Sequence, residues 1–140
     1  MNPFFTKMLA ERFAGQFEIV SAAEKPTIRF PAKSLDFGDV LIVEEDPGVY
    51  VLYIGRFTRD HFDAHVAHTD DDRAKEIAEK VIQFLDALFA DQIICYKSGE
   101  KRGGYYAKSY GKGIEEVDLY VWSGLYKKRE LGGGETTAKL

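Results

Sequence analysis

Cysteine is nearly absent from this chain: its 140 residues contain one, Cys95. One thiol cannot close an internal disulfide, so a disulfide-stapled scaffold is excluded. Cys95 lies in the apolar run Gln-Ile-Ile-Cys-Tyr, where an unpaired cysteine packs as a small buried group. Such usage fits a reducing compartment, and a cytoplasmic location is expected. Long hydrophobic runs are missing too. No stretch approaches the roughly 20 apolar residues of a helical membrane span, so no membrane partner is expected. Lys7, Glu11 and Arg12 interrupt the apolar N-terminal segment, and no small-residue cleavage pattern follows. A secretory signal is therefore not expected. Motifs that carry chemistry are scarce as well. There is no H-E-x-x-H, no serine in a G-x-S-x-G turn and no G-x-x-x-x-G-K-[ST] cradle. No catalytic residue and no cofactor is assigned.

What is present describes a globular domain. Hydrophobic residues make up 45% and aromatics 14%, enough for a packed core. A chain of this length removes about two-thirds of its unfolded surface from water, so it needs neither disulfide nor metal for stability. Net charge is −4 but uneven. Residues 1–96 carry 10 Lys+Arg and 17 Asp+Glu, or −7, whereas residues 97–140 carry 9 and 6, or +3. A basic C-terminal third can meet an acidic surface, although small domains often divide charge unevenly.

Periodicity gives the elements. Asn2 before Pro3 forms an N-cap and first helical position. Phe4, Met8, Leu9 and Phe13 then share one helical stripe, which Gly15 ends. Phe-Glu-Ile-Val-Ser-Ala and Thr-Ile-Arg-Phe-Pro-Ala read as a first hairpin. Two β-branched runs around Asp46-Pro47-Gly48 read as a second, because proline pre-sets φ and glycine accepts a positive one. Residues 49–54 are apolar on both faces, as in a strand covered on both sides, or covered on one and in a contact on the other. The pattern from Gly55 to Asp63 reads as a continuation of that strand or a bulge in it. Residues 72–90 form the strongest helix, with Ala74, Ile77, Ala78, Val81, Ile82, Leu85, Leu88 and Phe89 on one face. Thr69 or Asp70 caps it, and three aspartates complement its dipole. A third hairpin follows: strand 93–97, a loop 98–104 turning at Gly103-Gly104, and a return 105–110. A last strand spans 117–122. The expected class is α+β: one two-layer domain over residues 1–126, with a mostly antiparallel sheet packed by one long amphipathic helix and a short N-terminal helix. Residues 127–140, with three consecutive glycines, read as a loosely attached tail.

Three groups of residues can carry function. The segment Arg-Asp-His-Phe-Asp-Ala-His-Val-Ala-His, residues 59–68, contains every histidine of the chain. On a helix His61, His65 and His68 would share a face and could bind zinc with an open position for water, the arrangement of a metal-assisted hydrolase. In an extended segment His61 and His65 share a face and His68 points away. His61 beside Asp60 or Asp63 could also act in proton transfer, but the chain offers no convincing nucleophile. The second group interleaves Lys97, Lys101, Arg102, Lys108 and Lys112 with Tyr105, Tyr106 and Tyr110. That composition suits single-stranded nucleic acid, yet it lacks the patterns of the common RNA modules, and a structural hairpin accounts for it better. The third is the acidic group Asp36, Asp39, Glu44, Glu45 and Asp46, which has no calcium-loop spacing and reads as a solvated edge.

These features together point to a non-enzymatic binding domain whose partner is another protein or a second copy of itself. Tyrosine and arginine are the residues that anchor interfaces. The candidate binding residues are Arg59, His61, His65, Lys101, Arg102, Tyr105 and Tyr106. No metal is assigned; His61, His65 and His68 are the alternative set. Protein purified without a histidine tag is therefore expected to carry no near-stoichiometric zinc, and its melting temperature should not move with chelator. Zinc that stabilises the fold, with the effect lost in His65→Ala, would instead favour the hydrolase.

Overall fold

The computed structural model describes residues 1–22, 25–64, 69–98, 101–107 and 118–127. These form α1 (Pro3–Phe13), β1 (Glu18–Ala22), β2 (Lys25–Phe30), β3 (Val40–Asp46), β4 (Val49–Ile54), β5 (Thr58–Phe62), α2 (Asp70–Phe89), β6 (Ile93–Ser98), β7 (Lys101–Ala107), β8 (Asp118–Val121) and β9 (Gly124–Lys127). The class is α+β. The strands divide into two antiparallel sheets, β1-β2-β3-β4-β5 and β7-β6-β8-β9. The chain makes two compact units. Met1–Pro31, Val40–Tyr53 and Arg59–Leu85 form the first, and Ala32–Asp39, Ile54–Thr58 and the chain from Asp86 form the second. Among the described residues no helix is long and apolar enough to cross a membrane.

In the first unit, α1 starts where the sequence indicates. The Asn2 side chain accepts the Phe4 N–H at 2.8 Å, and Pro3 occupies a position whose N–H would be unused. The stripe is rotated from the expected one: Phe5, Leu9 and Phe13 are buried, while Phe4 lies 38% exposed under the Lys75 ammonium. Phe5, at the i, i+4, i+8 spacing with Leu9 and Phe13, aligns with them better than Phe4 does. Phe5 stacks on Tyr50 of β4 at 4.2 Å, and Phe13 meets Phe30 of β2 edge-on at 5.6 Å. Thus α1 covers the sheet face bearing Phe30 and Tyr50. Ile28 pairs with Ile42 and Phe30 with Val40, which puts all four buried residues on that face. The β3–β4 hairpin turns at Pro47-Gly48, with Gly48 at φ 77°. The segment after β4 does not continue that strand. Gly55, Arg56 and Phe57 form a turn, and β5 comes back to pair beside β4.

Helix α2 is capped by Thr69, whose hydroxyl accepts the Asp72 N–H at 3.0 Å. The helix therefore begins two residues earlier than its apolar pattern. Ala74, Ile77, Ala78, Val81 and Leu85 are buried, and Phe84 packs on Phe62 of β5 at 5.8 Å. At its other end Asp91 takes a left-handed φ of 59°. Its N–H reaches the Leu88 carbonyl at 3.1 Å and the Gln92 N–H reaches Ala87 at 2.9 Å, a Schellman ending with aspartate where glycine is usual. Ser123 holds that aspartate in place, its N–H donating to Oδ1 at 3.0 Å and its hydroxyl to Oδ2 at 2.5 Å.

The second unit is built around Ile94, Leu119 and Val121, with Tyr96 and Tyr126 against them. Rings of Phe37, Phe57, Phe89, Tyr120 and Trp122 form a chain of contacts at 4.8–5.7 Å. Gly55 permits this: at φ 54°, a Cβ there would lie 2.3 Å from the Phe37 carbonyl oxygen, which accepts the Arg56 N–H at 2.9 Å. Two expectations fail in this unit. Residues 101–104 are not loop, because Lys101, Arg102 and Gly103 pair with Ser98, Lys97 and Tyr96. The two glycines mark a bulge where the register shifts between Cys95 and Tyr96, a usual place for glycine in a strand. The last strand is also not residues 117–122, since Trp122 and Ser123 turn the chain into β9. The remainder of the expected tail, 128–140, lies outside the described residues.

Leu85 is fully buried and Glu79 is exposed. Leu85→Ala is expected to cost about 2–5 kcal/mol, and Glu79→Ala less than about 0.5 kcal/mol. Chemical-denaturation midpoints measure the difference, and equal midpoints would refute the assignment of this helix face.

Candidate functional site

Strand alternation brings one set of polar side chains together in the first unit. On the sheet face opposite Phe30 and Tyr50, Lys25 of β2 forms an ion pair with Glu45 of β3. The Tyr53 hydroxyl of β4 donates to Glu45 Oε1 at 2.7 Å. Arg59 of β5 acts on the same carboxylate through its charge. His61 is two residues beyond Arg59, so both project from one side of β5, and both are exposed. Thr58, Asp60 and Phe62 alternate with them and are half-buried. Four neighbouring strands thereby contribute Lys25, Glu45, Tyr53, Arg59 and His61 to one surface. Farther along, Arg29 Nη1 meets Glu18 Oε1 at 2.5 Å.

The electrostatics of this face are those of a hydrogen-bonded network. The bond from Lys25, then the bond from Tyr53, hold the Glu45 carboxyl below its ordinary pKa. The bond to Glu45 holds Lys25 above its ordinary value. Both groups are exposed to water, so the stabilisation is screened and small.

Of the two conformations open to the histidine segment, His61 takes the extended one. His61 lies in β5, and α2 begins only at Asp70. His65 and His68 lie outside the described residues. The neighbouring aspartates serve the backbone instead. Asp60 Oδ1 accepts the His61 N–H at 2.8 Å, and Asp63 Oδ1 accepts the Ala64 N–H at 3.0 Å. Asp63 is also tied to α2: Arg73 approaches its carboxylate at 3.6 Å, and Lys80 Nζ donates to its carbonyl at 2.6 Å. Among the described residues no group of three His, Cys, Asp or Glu side chains is placed to hold a metal.

The remaining binding candidates belong to the second unit. Lys101, Arg102, Tyr105 and Tyr106 lie on β7, the outer strand of the second sheet, where Tyr105 pairs with Cys95 and Tyr106 with Ile94. Lys108, Tyr110 and Lys112 lie outside the described residues. Cys95 is fully buried and its thiol is pushed up to about 12 by burial, which leaves it unreactive. The acidic group does not gather either. Asp39 accepts the Ala32 N–H at 2.7 Å, Glu44 Oε2 accepts the Gly48 N–H at 3.3 Å, and Glu45 belongs to the sheet-face network.

A feature that sequence reading does not find is a cleft of about 170 Å³ within the first unit, lined by Asn2, Glu44, Gly48, Tyr50, Asp70 and Arg73 among others. It is small beside the roughly 300–1,000 Å³ of ordinary small-molecule pockets. Tyr50 forms part of its wall, only 2% exposed. Burial first, and the Glu44 charge second, push its hydroxyl up to about 12. The Glu44 carboxylate and the Asn2 backbone lie near that hydroxyl. The Met1 amino group stands 3.5 Å from Glu44 Oε1. The signal for this cleft was the pair of residues Glu44 and Tyr50 flanking the Asp-Pro-Gly turn, but nothing local ties them to Asp70.

Compared with known proteins, the chain matches no family model, no curated protein and no solved structure.

The network gives a pH test. A carboxyl with a lowered folded pKa adds stability above its unfolded pKa and loses it as pH falls through the folded one. A raised lysine adds stability below its unfolded pKa and loses it as pH rises through the folded one. In Lys25→Met, the Glu45 titration followed by NMR is expected to move up toward the ordinary glutamate range. An unchanged Glu45 midpoint would show that Lys25 does not hold it.

Proposed function

We propose that this chain is a non-enzymatic binding domain whose partner is another protein or a second copy of itself. The observation that carries the reading is the sheet face on which exposed Arg59 and His61 stand beside the Lys25–Glu45–Tyr53 network. Arginine and tyrosine offer large contact area with directed hydrogen bonds, the properties of interface anchors. Charges of both signs on one face favour a partner of mixed charge, including a symmetric copy of the same face. The bonds among Lys25, Glu45 and Tyr53 hold those side chains in one arrangement, which lowers the entropy lost on docking.

The test joins sedimentation over a range of concentrations with affinity capture from the native host, each for the wild type and for Arg59→Glu with His61→Glu. The wild type is expected to self-associate or to retain a specific protein. The double variant should weaken that complex by about tenfold or more with an unchanged melting temperature. A complex equally strong in the double variant, or no complex in either form, would overturn the reading.

A further inference from the structure

We infer that the outer edge of β1 is a self-association surface, on which a second copy of this chain pairs its own β1 antiparallel about a two-fold axis. The inference does not rest on the reading above. Arg59 and His61 belong to β5, and the sheet order puts β5 at one end of the first sheet and β1 at the other. Three observations support it.

First, β1 is the sheet edge that carries no guard. An edge strand turns every second N–H and C=O away from its neighbour, a template for another strand. Proteins blunt such edges with charge, bulges or shortness. The described residues have four sheet edges: β1, β5, β7 and β9. Arg59, Asp60 and His61 follow one another in β5. Lys101 and Arg102 open β7, and its register with β6 shifts. Strand β9 has only four residues. In contrast, β1 reads Glu-Ile-Val-Ser-Ala, five residues in unbroken register with β2. Its one charge, Glu18, is held by Arg29 at 2.5 Å.

Second, the edge bears an uncovered apolar side chain. Ile19 pairs with Ile28 and so stands on the face that α1 covers. Ile28 is fully buried, whereas Ile19 is 64% exposed. Of the large exposed hydrophobic residues Phe4, Ile19, Leu35 and Val49, Ile19 is the one in an edge strand.

Third, β1 is complementary to itself. Outward backbone groups alternate along a strand, so a two-fold pairing requires residue numbers whose sum is even. Val20 opposite Val20 of the second copy keeps all five residues paired, and a register two residues to either side leaves three. In the full register Glu18 falls opposite Ala22 of the second copy. The two glutamates then stand at opposite ends, roughly 13 Å apart along the strands. The two Ile19 residues become diagonal neighbours on one face, within reach of each other. Each exposed isoleucine thereby gains a cover from its symmetry mate. The contact also closes, because it consumes the β1 edge of both copies and leaves the charged β5 edges outermost. A dimer results rather than a fibre.

The test combines sedimentation equilibrium over a range of concentrations with amide hydrogen exchange of the whole chain. The wild type is expected to follow a monomer–dimer equilibrium, and alternate β1 amides should exchange more slowly as concentration rises. Ile19→Lys places a guard charge on both edges and should weaken the dimer about tenfold or more. Unchanged NMR signals from Ile28 and Phe30 would show that the sheet still forms. Arg59→Glu with His61→Glu should leave this dimer intact. A protein captured through the Arg59–His61 face is measured on Ile19→Lys, so failure of one reading does not carry over to the other. A wild type that stays monomeric would overturn the inference. So would a dimer equally strong in Ile19→Lys, slowed exchange confined to other strands, or β1 protected by a different protein while the chain itself stays monomeric.

Discussion

The pairing of Thr27 with Val43 decides the character of both faces of the first sheet. Because side chains alternate along a strand, this register sends Ile28, Phe30, Val40 and Ile42 to the face that α1 covers. The same register puts Lys25 and Glu45 on the other face, close enough to form their ion pair. A slip of one residue would exchange the two faces, burying charges and exposing the core. The apolar set therefore enforces the register, and the polar network is a consequence of it. Thr27 itself is fully buried, and its hydroxyl donates to the Lys25 carbonyl at 3.0 Å, so no donor is left unsatisfied there.

The second unit depends on a backbone constraint instead. Gly55 brings its chain so close to Phe37 that any side chain would collide with the carbonyl oxygen. That contact sets Phe37 and Phe57 at 5.1 Å and lets Trp122 join them. Aromatic rings supply much apolar area per residue, which is useful in a small sheet with few aliphatic core residues.

The functional readings draw on what the core leaves over. Lys25, Glu45, Tyr53, Arg59 and His61 are on the face away from α1, so their arrangement is not required to build the helix-covered core. The edge of β1 is left over in another sense. Ile19 stands on the covered side of the sheet beside buried Ile28, yet it remains exposed.

Several elements were legible because they rest on local chemistry. Asn2-Pro3 marks a helix start, Pro47-Gly48 marks a turn, and the spacing of Ile77, Val81, Leu85 and Leu88 marks a buried helix face. The α+β class follows from those patterns. Others were misread where local signals compete. Phe4 and Phe5 are equivalent in hydrophobicity, and Phe5 is selected by its alignment with Leu9 and Phe13 and by its stacking on Tyr50. Gly103 and Gly104 resemble a turn, but cross-strand pairing makes them a bulge. Arg59 and His61 could be named as candidates from residue type alone. Their neighbours Lys25 and Tyr53 could not, and Glu45 was nameable only as part of an acidic edge, not as their partner. Sequence spacing reports which residues share a face of one strand or helix. Which strands lie side by side, and which helix end closes over a hairpin, is decided by burial of apolar area over the whole unit, and that sum has no local signature.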